Sequence, residues 1–329
     1  MIMDEPSAAL SLYSLVRPEI LADPYRFYHR LRSMHPVHWD PELGSWVLTR
    51  YADVVGALLD PRLSARRIGG PAESLDPISR ALAQQMLFLD PPDHTRLRKL
   101  VTRSFTPRMV ESMRPRVRQC VEALLDAVEP SGRMDVIRDL AGPLPLIVIA
   151  EMLGVPVTDR DRLKRWSDDF AALIGALSLS EAQATQARQS ALEMIDFFYQ
   201  VIRQRRRNPG DDLISALLAA EEQGDALSVE EVVMNAVFLL AAGHETTTNL
   251  IGNGVLALLR HPDQRRKLQE EPALIASAVE ELLRYDSPVQ FTDRVAREAL
   301  ELGGQPVAAG QSVTMVLAAA NRDPAQFPD

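Results

Sequence analysis

A mainly α-helical fold with a small β region, organised around one long buried helix, follows from three observations. The first is the stretch Ser228 to Arg260, SVEEVVMNAVFLLAAGHETTTNLIGNGVLALLR. Ser228 followed by Glu230 and Glu231 is a helix start, a hydroxyl cap with acids in the first turn. Arg260, His261 and Pro262 make a basic end and a stop. About thirty residues of helix span roughly 45 Å. Val232, Val233, Met234, Ala236, Val237, Phe238, Leu239 and Leu240 leave no polar face, so the helix is expected to be buried. The second observation is the recurrence of amphipathic helical patterns through most of the chain as far as Tyr285. The third is a change of period after Val289 to short strand-like pieces separated by Gly303-Gly304 and Gly310.

The totals set bounds. The 329 residues, 46% hydrophobic, suffice for a sizeable core. No Ser/Gly-rich linker interrupts them, so one domain over residues 1–329 is expected. A net charge of −9 excludes general nucleic-acid binding. The single cysteine, Cys120, excludes an internal disulfide and suits a reducing compartment. The acidic start MIMDEPSAAL has no signal-peptide n-region. His244, Glu245 and Asn249 break the long helix too much for a membrane span. A cytoplasmic protein without membrane attachment is therefore expected.

In order, Pro24 to Met34 reads as a short helix. Val37–Trp39 and Ser45–Arg50 read as strands joined by a turn at Glu42-Leu43-Gly44. Tyr51 to Leu59 is helical, and residues 62–80 form a loop rich in Gly, Pro, Ser and Arg. Ala81 to Phe88 gives a short helix. Asp93 then caps the helix DHTRLRKLVTRSF. Residues 115–128 continue as an amphipathic helix, Met134 to Asp139 is a short strand or loop, and Leu144 to Leu153 is an apolar helix. Two amphipathic helices cover 158–175 and 181–207. Asn208-Pro209-Gly210 stops the second, and Asp211 starts another to Glu222. Asp263 to Glu271 and Pro272 to Tyr285 are helices. Strand-like pieces follow at Arg294–Ala296, Ala299–Leu302, Val307 and Ser312–Leu317.

Chemistry concentrates at the break in the long helix, Gly243-His244-Glu245-Thr246-Thr247-Thr248-Asn249. A buried Glu among three Thr is costly in a core and points to a functional site. Gly243 permits close approach of a flat ligand to the helix backbone. Thr246 can bond back to the Ala242 carbonyl, loosening the ladder and inviting a bulge or water. Glu245 beside it can relay protons. The bland alternative is a polar patch facing a neighbouring element. His244 reads as a helix residue turned to a polar neighbour, because no second His or Cys sits at ligand spacing.

From Arg96 to Arg118 eight bases face one acid, Glu111, a local +7 in a chain of net −9. They are either solvated helix faces or a site for anionic groups or an acidic partner. His94 and Arg98, four apart, share a helix face. In VEELLRY, Glu281 and Arg284 are three apart and can pair.

The ordered set is more specific than any member. DPPDHTRLRKLV, LLAAGHETTTN, EELLRY, DRVAREALELGGQPVAAGQSV and AAANRDP occur in this order. The chain thereby resembles the bacterial soluble cytochrome P450 family, the haem-thiolate monooxygenases, over essentially its whole length. The resemblance implies haem b, with His94, Arg98 and Arg294 binding its propionates. Ala242, Gly243, Glu245 and Thr246 would border the oxygen site, where Glu245 and Thr246 help deliver protons to dioxygen. Glu281 and Arg284 would be the structural Glu-x-x-Arg pair. The basic run would face an acidic ferredoxin-type partner that carries electrons from NAD(P)H through a reductase. The substrate would be a hydrophobic small molecule, hydroxylated or epoxidised with O2. Residues near 62–90 and 165–190 match the family's substrate-entry regions.

One part of the family pattern is not among these residues. The haem-ligand Cys loop follows the Asn-Arg-Asp-Pro motif in the family, and here Asn321-Arg322-Asp323-Pro324 is followed by only five residues. The expectation is a chain truncated before its axial ligand, inactive by itself, since Cys120 lies in a helix pattern without the Gly-rich loop. The alternative is a non-catalytic relative that keeps a pocket for a hydrophobic ligand or partner. From the truncation, apolar surface left open below the long helix is expected to make the chain aggregate or bind hydrophobic dye.

Overall fold

Turn and cap chemistry sets most element boundaries in the structure, a computed structural model that describes residues 10–68, 75–156, 159–222 and 227–328. In chain order, α1 (Pro18–Leu21) and α2 (Pro24–Met34) precede β1 (Val37–Asp40), β2 (Ser45–Leu48), α3 (Tyr51–Leu59) and β3 (Leu63–Ser64). Next come α4 (Pro77–Leu82), α5 (Asp93–Ser104), α6 (Pro107–Val128), α7 (Pro143–Met152), α8 (Arg160–Gly175), α9 (Glu181–Arg207), α10 (Leu213–Glu222) and α11 (Val229–Arg260). The chain ends with α12 (Pro262–Glu270), α13 (Ile275–Tyr285), β4 (Thr292–Ala296), β5 (Leu300–Leu302), β6 (Gln305–Val307), β7 (Ser312–Met315) and α14 (Leu317–Ala320). The mainly helical class with a small β region is as the sequence implies.

Contacts divide the chain into two compact units, Met1–Arg67 with Pro262–Asp329, and Ile68–His261. The first holds both sheets. One has five strands in the order β1-β2-β7-β4-β3; the other is the β5–β6 hairpin. β2 and β7 pair in parallel, and the remaining neighbours are antiparallel. Val37, Leu48, Val54, Ala57, Val313 and Met315 form the core of this unit. In the second unit, Val232, Val233, Ala236, Val237 and Leu240 of α11 pack with Leu163 and Phe170 of α8 and with Met194 and Phe198 of α9. Among the described residues, no helix is long and apolar enough to cross a membrane.

Several boundaries differ from the sequence reading. The expected helix Ala81–Phe88 is instead α4 followed by a 3-10 turn at Met86–Phe88. Asp76 caps α4 by accepting from the N–H groups of Ile78 and Ser79, and Pro77 is its first residue, a position proline suits. The loop expected over 62–80 therefore contains β3 and the start of α4, while residues 69–74 lie outside the described residues. Asp93 is the first residue of α5, and Pro92 holds the cap position. α6 begins at Pro107 under a Thr106 cap, eight residues before the expected start. Residues Met134–Asp139 are not a strand. Asp135 Oδ1 accepts from the backbone of Ile137 and Arg138, each at 3.0 Å, and opens a π-helical turn Ile137–Ala141. Pro272–Leu274 is a 3-10 turn before α13, and Leu317 belongs to α14 rather than to a strand.

Candidate functional site

α11 begins with the cap the sequence signals. Ser228 Oγ accepts from the N–H of Glu231 while the Glu231 carboxylate accepts from the N–H of Ser228, which satisfies two donors at the helix end. The 32-residue helix spans about 48 Å at the standard rise. Val232 to Val237, Leu240 and Ala241 are buried, but Ala242, Gly243, Glu245 and Thr246 are only half-buried. Thr246 Oγ1 donates to the Ala242 carbonyl at 2.7 Å, as its spacing implies. Thr248 does the same to His244 at 2.9 Å. The bulge expected there does not form; the helix stays α-helical through 229–260. Gly243 has a packing reason for lacking a side chain. A Cβ there would lie 2.9 Å from Ile149 Cγ1 of α7.

Glu245 makes no hydrogen bond among the described residues. Burial, then the charge of Asp168, holds its carboxyl above the usual range. His244 beside it is 2% exposed and bonds to α8. Its Nδ1 lies 2.9 Å from Ser167 Oγ, and Ser167 is fully buried. This is the polar neighbour the sequence anticipates, though its identity was not legible. Asp168 Oδ1 lies 3.9 Å from the same nitrogen, and Asp168 Oδ2 pairs with Lys164 Nζ at 2.5 Å. His244 Nε2 is buried without a well-formed hydrogen bond, although the Gly142 carbonyl is near enough to favour a proton on the ring. Burial outweighs Asp168 and Gly142, so the imidazole is held neutral, below its usual range.

A pH dependence follows. In the unfolded chain His244 titrates near pH 6.5, and in the folded chain lower. Its contribution is therefore intact above about pH 6.5 and is lost as pH falls through that value toward the folded pKa. Urea unfolding at pH 7.5 and pH 5.5 should show a smaller loss for His244→Phe than for wild type. The difference is bounded by about 1.4 kcal/mol per pH unit.

On α5, His94 and Arg98 line the same cavity of about 620 Å³, together with Thr95, Lys99, Thr102 and Arg103. Arg96, on another face of the helix, pairs with Glu231 in the first turn of α11. The basic run is less unbalanced than its sequence suggests. Arg114 pairs with Glu111 at 2.8 Å, and Arg116 pairs with Glu151 of α7. Acids distant in sequence, Glu151 and Glu231, thus reach the run alongside Glu111. Arg98, Lys99, Arg108 and Arg118 remain exposed.

The sequence model of the cytochrome P450 family matches residues 46–329. The chain belongs to the cytochrome P450 family. The biotin biosynthesis cytochrome P450 of Bacillus subtilis is 41% identical over 319 residues, which cover 95% of this chain and 80% of that protein. The vitamin D(3) 25-hydroxylase of Pseudonocardia autotrophica is 43% identical, with 93% and 75% covered. The crystal structure of P450BioI in complex with an acyl carrier protein carrying hexadec-9Z-enoic acid superposes with a TM-score of 0.87. It is 40% identical, with 94% of this chain and 81% of that one covered. Enzyme class and fold of the cytochrome P450 chain are therefore those the ordered motifs implied.

In the other unit of this cytochrome P450, Arg284 donates to Glu281 at 2.5 and 2.7 Å and to the Asn321 carbonyl at 2.8 Å. The pair draws the Glu281 carboxyl below its usual range, through the Arg284 hydrogen bonds first. Arg322 stacks on Tyr25 and Tyr285 and donates to the Tyr285 carbonyl at 2.6 Å. Arg294 lies on β4 opposite Val313 and donates to the Asp293 carbonyl at 2.8 Å. Cys120, the one sulfhydryl in the sequence, is 5% exposed within α6.

Proposed function

We propose that this cytochrome P450 chain binds haem b and supplies the oxygen-side wall of a monooxygenase acting on a hydrophobic small molecule, with residues 1–329 serving as one catalytic domain. The observation that carries the reading is Glu245. It is a half-buried carboxyl without a hydrogen-bond partner among the described residues, held toward its protonated form, one residue before a hydroxyl. A structural carboxylate at such a position would be expected to find a cation or amide partner.

The residues present fit one part of haem and not another. His94 and Arg98 suit propionates, since guanidinium and imidazole donate to carboxylates in charge-assisted bonds. By the family resemblance Arg294 has the same role. An axial thiolate has no candidate here, because Cys120 is packed in α6. When bound, haem supplies the redox-active iron that reduces dioxygen. Glu245 stores a proton at its carboxyl. Thr246 gives its hydroxyl hydrogen to Ala242 and keeps its lone pairs for accepting one. An acid beside an accepting hydroxyl can pass a proton inward, and the small side chain of Ala242 leaves room beside it. Arg284, paired with Glu281, has a structural role in its own unit by holding the Asn321 carbonyl. We propose an acidic ferredoxin, fed by a reductase, at the exposed bases Lys99, Arg108 and Arg118. A secondary-metabolite intermediate is the proposed substrate class.

Cys120 favours a second reading for these 329 residues taken by themselves. They bind haem or an apolar ligand but do not oxidise it. Haem titration of the chain tests the shared claim. Arg98→Ala and His94→Ala should each weaken haem binding about 10-fold or more, in line with loss of a charge-assisted hydrogen bond. Unchanged affinity in both variants would overturn the propionate assignment.

A further inference from the structure

The reading above uses Glu245 and Thr246 but leaves the buried His244 between Gly243 and Glu245 without a role. We propose that His244 is a positioning residue: its bond to Ser167 fixes α8 against the middle of α11, and so sets how deeply Glu245 is buried and how near Asp168 stands to it. The inference rests on the proposed role of Glu245.

Three observations carry it. His244 and Ser167 are both buried, at 2% and 0% exposure, and bond at 2.9 Å across 77 residues of sequence. An interior hydrogen bond between two helices has no water to replace it, so its loss leaves both partners unsatisfied. Asp168 follows Ser167 directly in α8, as Glu245 follows His244 in α11. One bond therefore registers two adjacent carboxyls across the helix pair. Asp168 is 44% exposed and paired with Lys164, so it joins the buried pair to solvent.

The groups facing the imidazole are few. α8 presents Ser167, Asp168 and Lys164, and the turn before α7 presents the Gly142 carbonyl. The ring is wedged at a point where α11 meets both α7 and α8. Both influences on the Glu245 carboxyl, its burial and the Asp168 charge, depend on where α8 lies. If the Ser167 bond is cut, α8 is free to shift at this level. Glu245 then gains water, loses its fixed distance to Asp168, and releases its proton more readily.

The test is the titration of Glu245, read by NMR of the 329-residue chain labelled with 13C at the glutamate carboxyl. Glu245→Gln assigns the signal. His244→Phe and Ser167→Ala should each move the Glu245 titration to lower pH, by about the same amount. His244→Asn, whose amide can reach the Nδ1 position, should keep it near the wild-type value. A Glu245 titration unmoved by Ser167→Ala, with only the melting temperature lowered, would overturn the proposal and leave His244 a packing residue. If His244→Phe does not fold, Ser167→Ala and His244→Asn still decide it. Haem binding is a separate readout, so failure of the haem proposal is seen independently.

Discussion

Replacing Gly243 by valine is expected to lower the stability of the folded chain by about 3 kcal/mol, the upper range for overpacking a core. The cause is local. The first added carbon alone would stand 2.9 Å from Ile149 Cγ1 and 3.3 Å from its Cβ. These atoms are near the backbone of α7 and cannot swing aside, and Ile149 is itself buried. Gly243→Ala should be milder, because leaving glycine in a helix interior returns about 1 kcal/mol. The explanation is specific enough to be checked by a double mutant. Ile149→Ala should cost about 2–5 kcal/mol alone. In combination with Gly243→Val the loss should be smaller than the sum, because the valine enters the space the isoleucine vacates. Urea unfolding midpoints supply the measurement. Strict additivity would mean that Gly243 does not pack on Ile149, and its absent side chain would then need an explanation from a ligand.

The second large effect belongs to Arg284. Arg284→Ala is expected to cost about 2–3 kcal/mol, while Glu281→Ala should cost under about 1 kcal/mol. The asymmetry comes from exposure. The Glu281 side chain is 56% exposed and its pairing with Arg284 is a local i,i+3 contact. Arg284, at 26%, also donates to the Asn321 carbonyl and stacks over Phe327 at 5.1 Å. Removing it leaves a half-buried carbonyl without that donor. Arg284→Lys should recover less than half of the loss, because one ammonium cannot serve two directions as a planar guanidinium does. Equal costs for the glutamate and arginine variants would show that the ion pair itself, and not the grip on Asn321, supplies the stability.

These two sites illustrate which parts of the chain were legible beforehand. The start and end of α11 were written locally, in Ser228 with its acids and in Arg260 before Pro262. The shared face of His94 and Arg98 and the bond from Thr246 to Ala242 followed from helical spacing alone. Gly243 was read as room for a ligand, and its fit against Ile149 could not be seen because the two are 94 residues apart. The same holds for Ser167 under His244, for which no residue pattern gave a signal. The basic run looked far more positive than it is, since Glu151 and Glu231 reach it only through folding. Errors of local structure had local causes. Pro77 reads as loop in the sequence although proline suits a first helical residue. Asp135 capped a π-helical turn that resembled a strand by composition.

The account rests on a division of labour within the chain. His94 and Arg98 would hold haem, while Cys120 stays in the packing of α6. The reduced carbon-monoxide difference spectrum of the haem-loaded 329-residue chain tests this most directly. The account predicts a stoichiometric haem complex without the strongly red-shifted Soret band of a thiolate ligand, and the same spectrum in Cys120→Ala. A strongly red-shifted band that disappears in Cys120→Ala would contradict it, since the buried thiol would then have reached the iron.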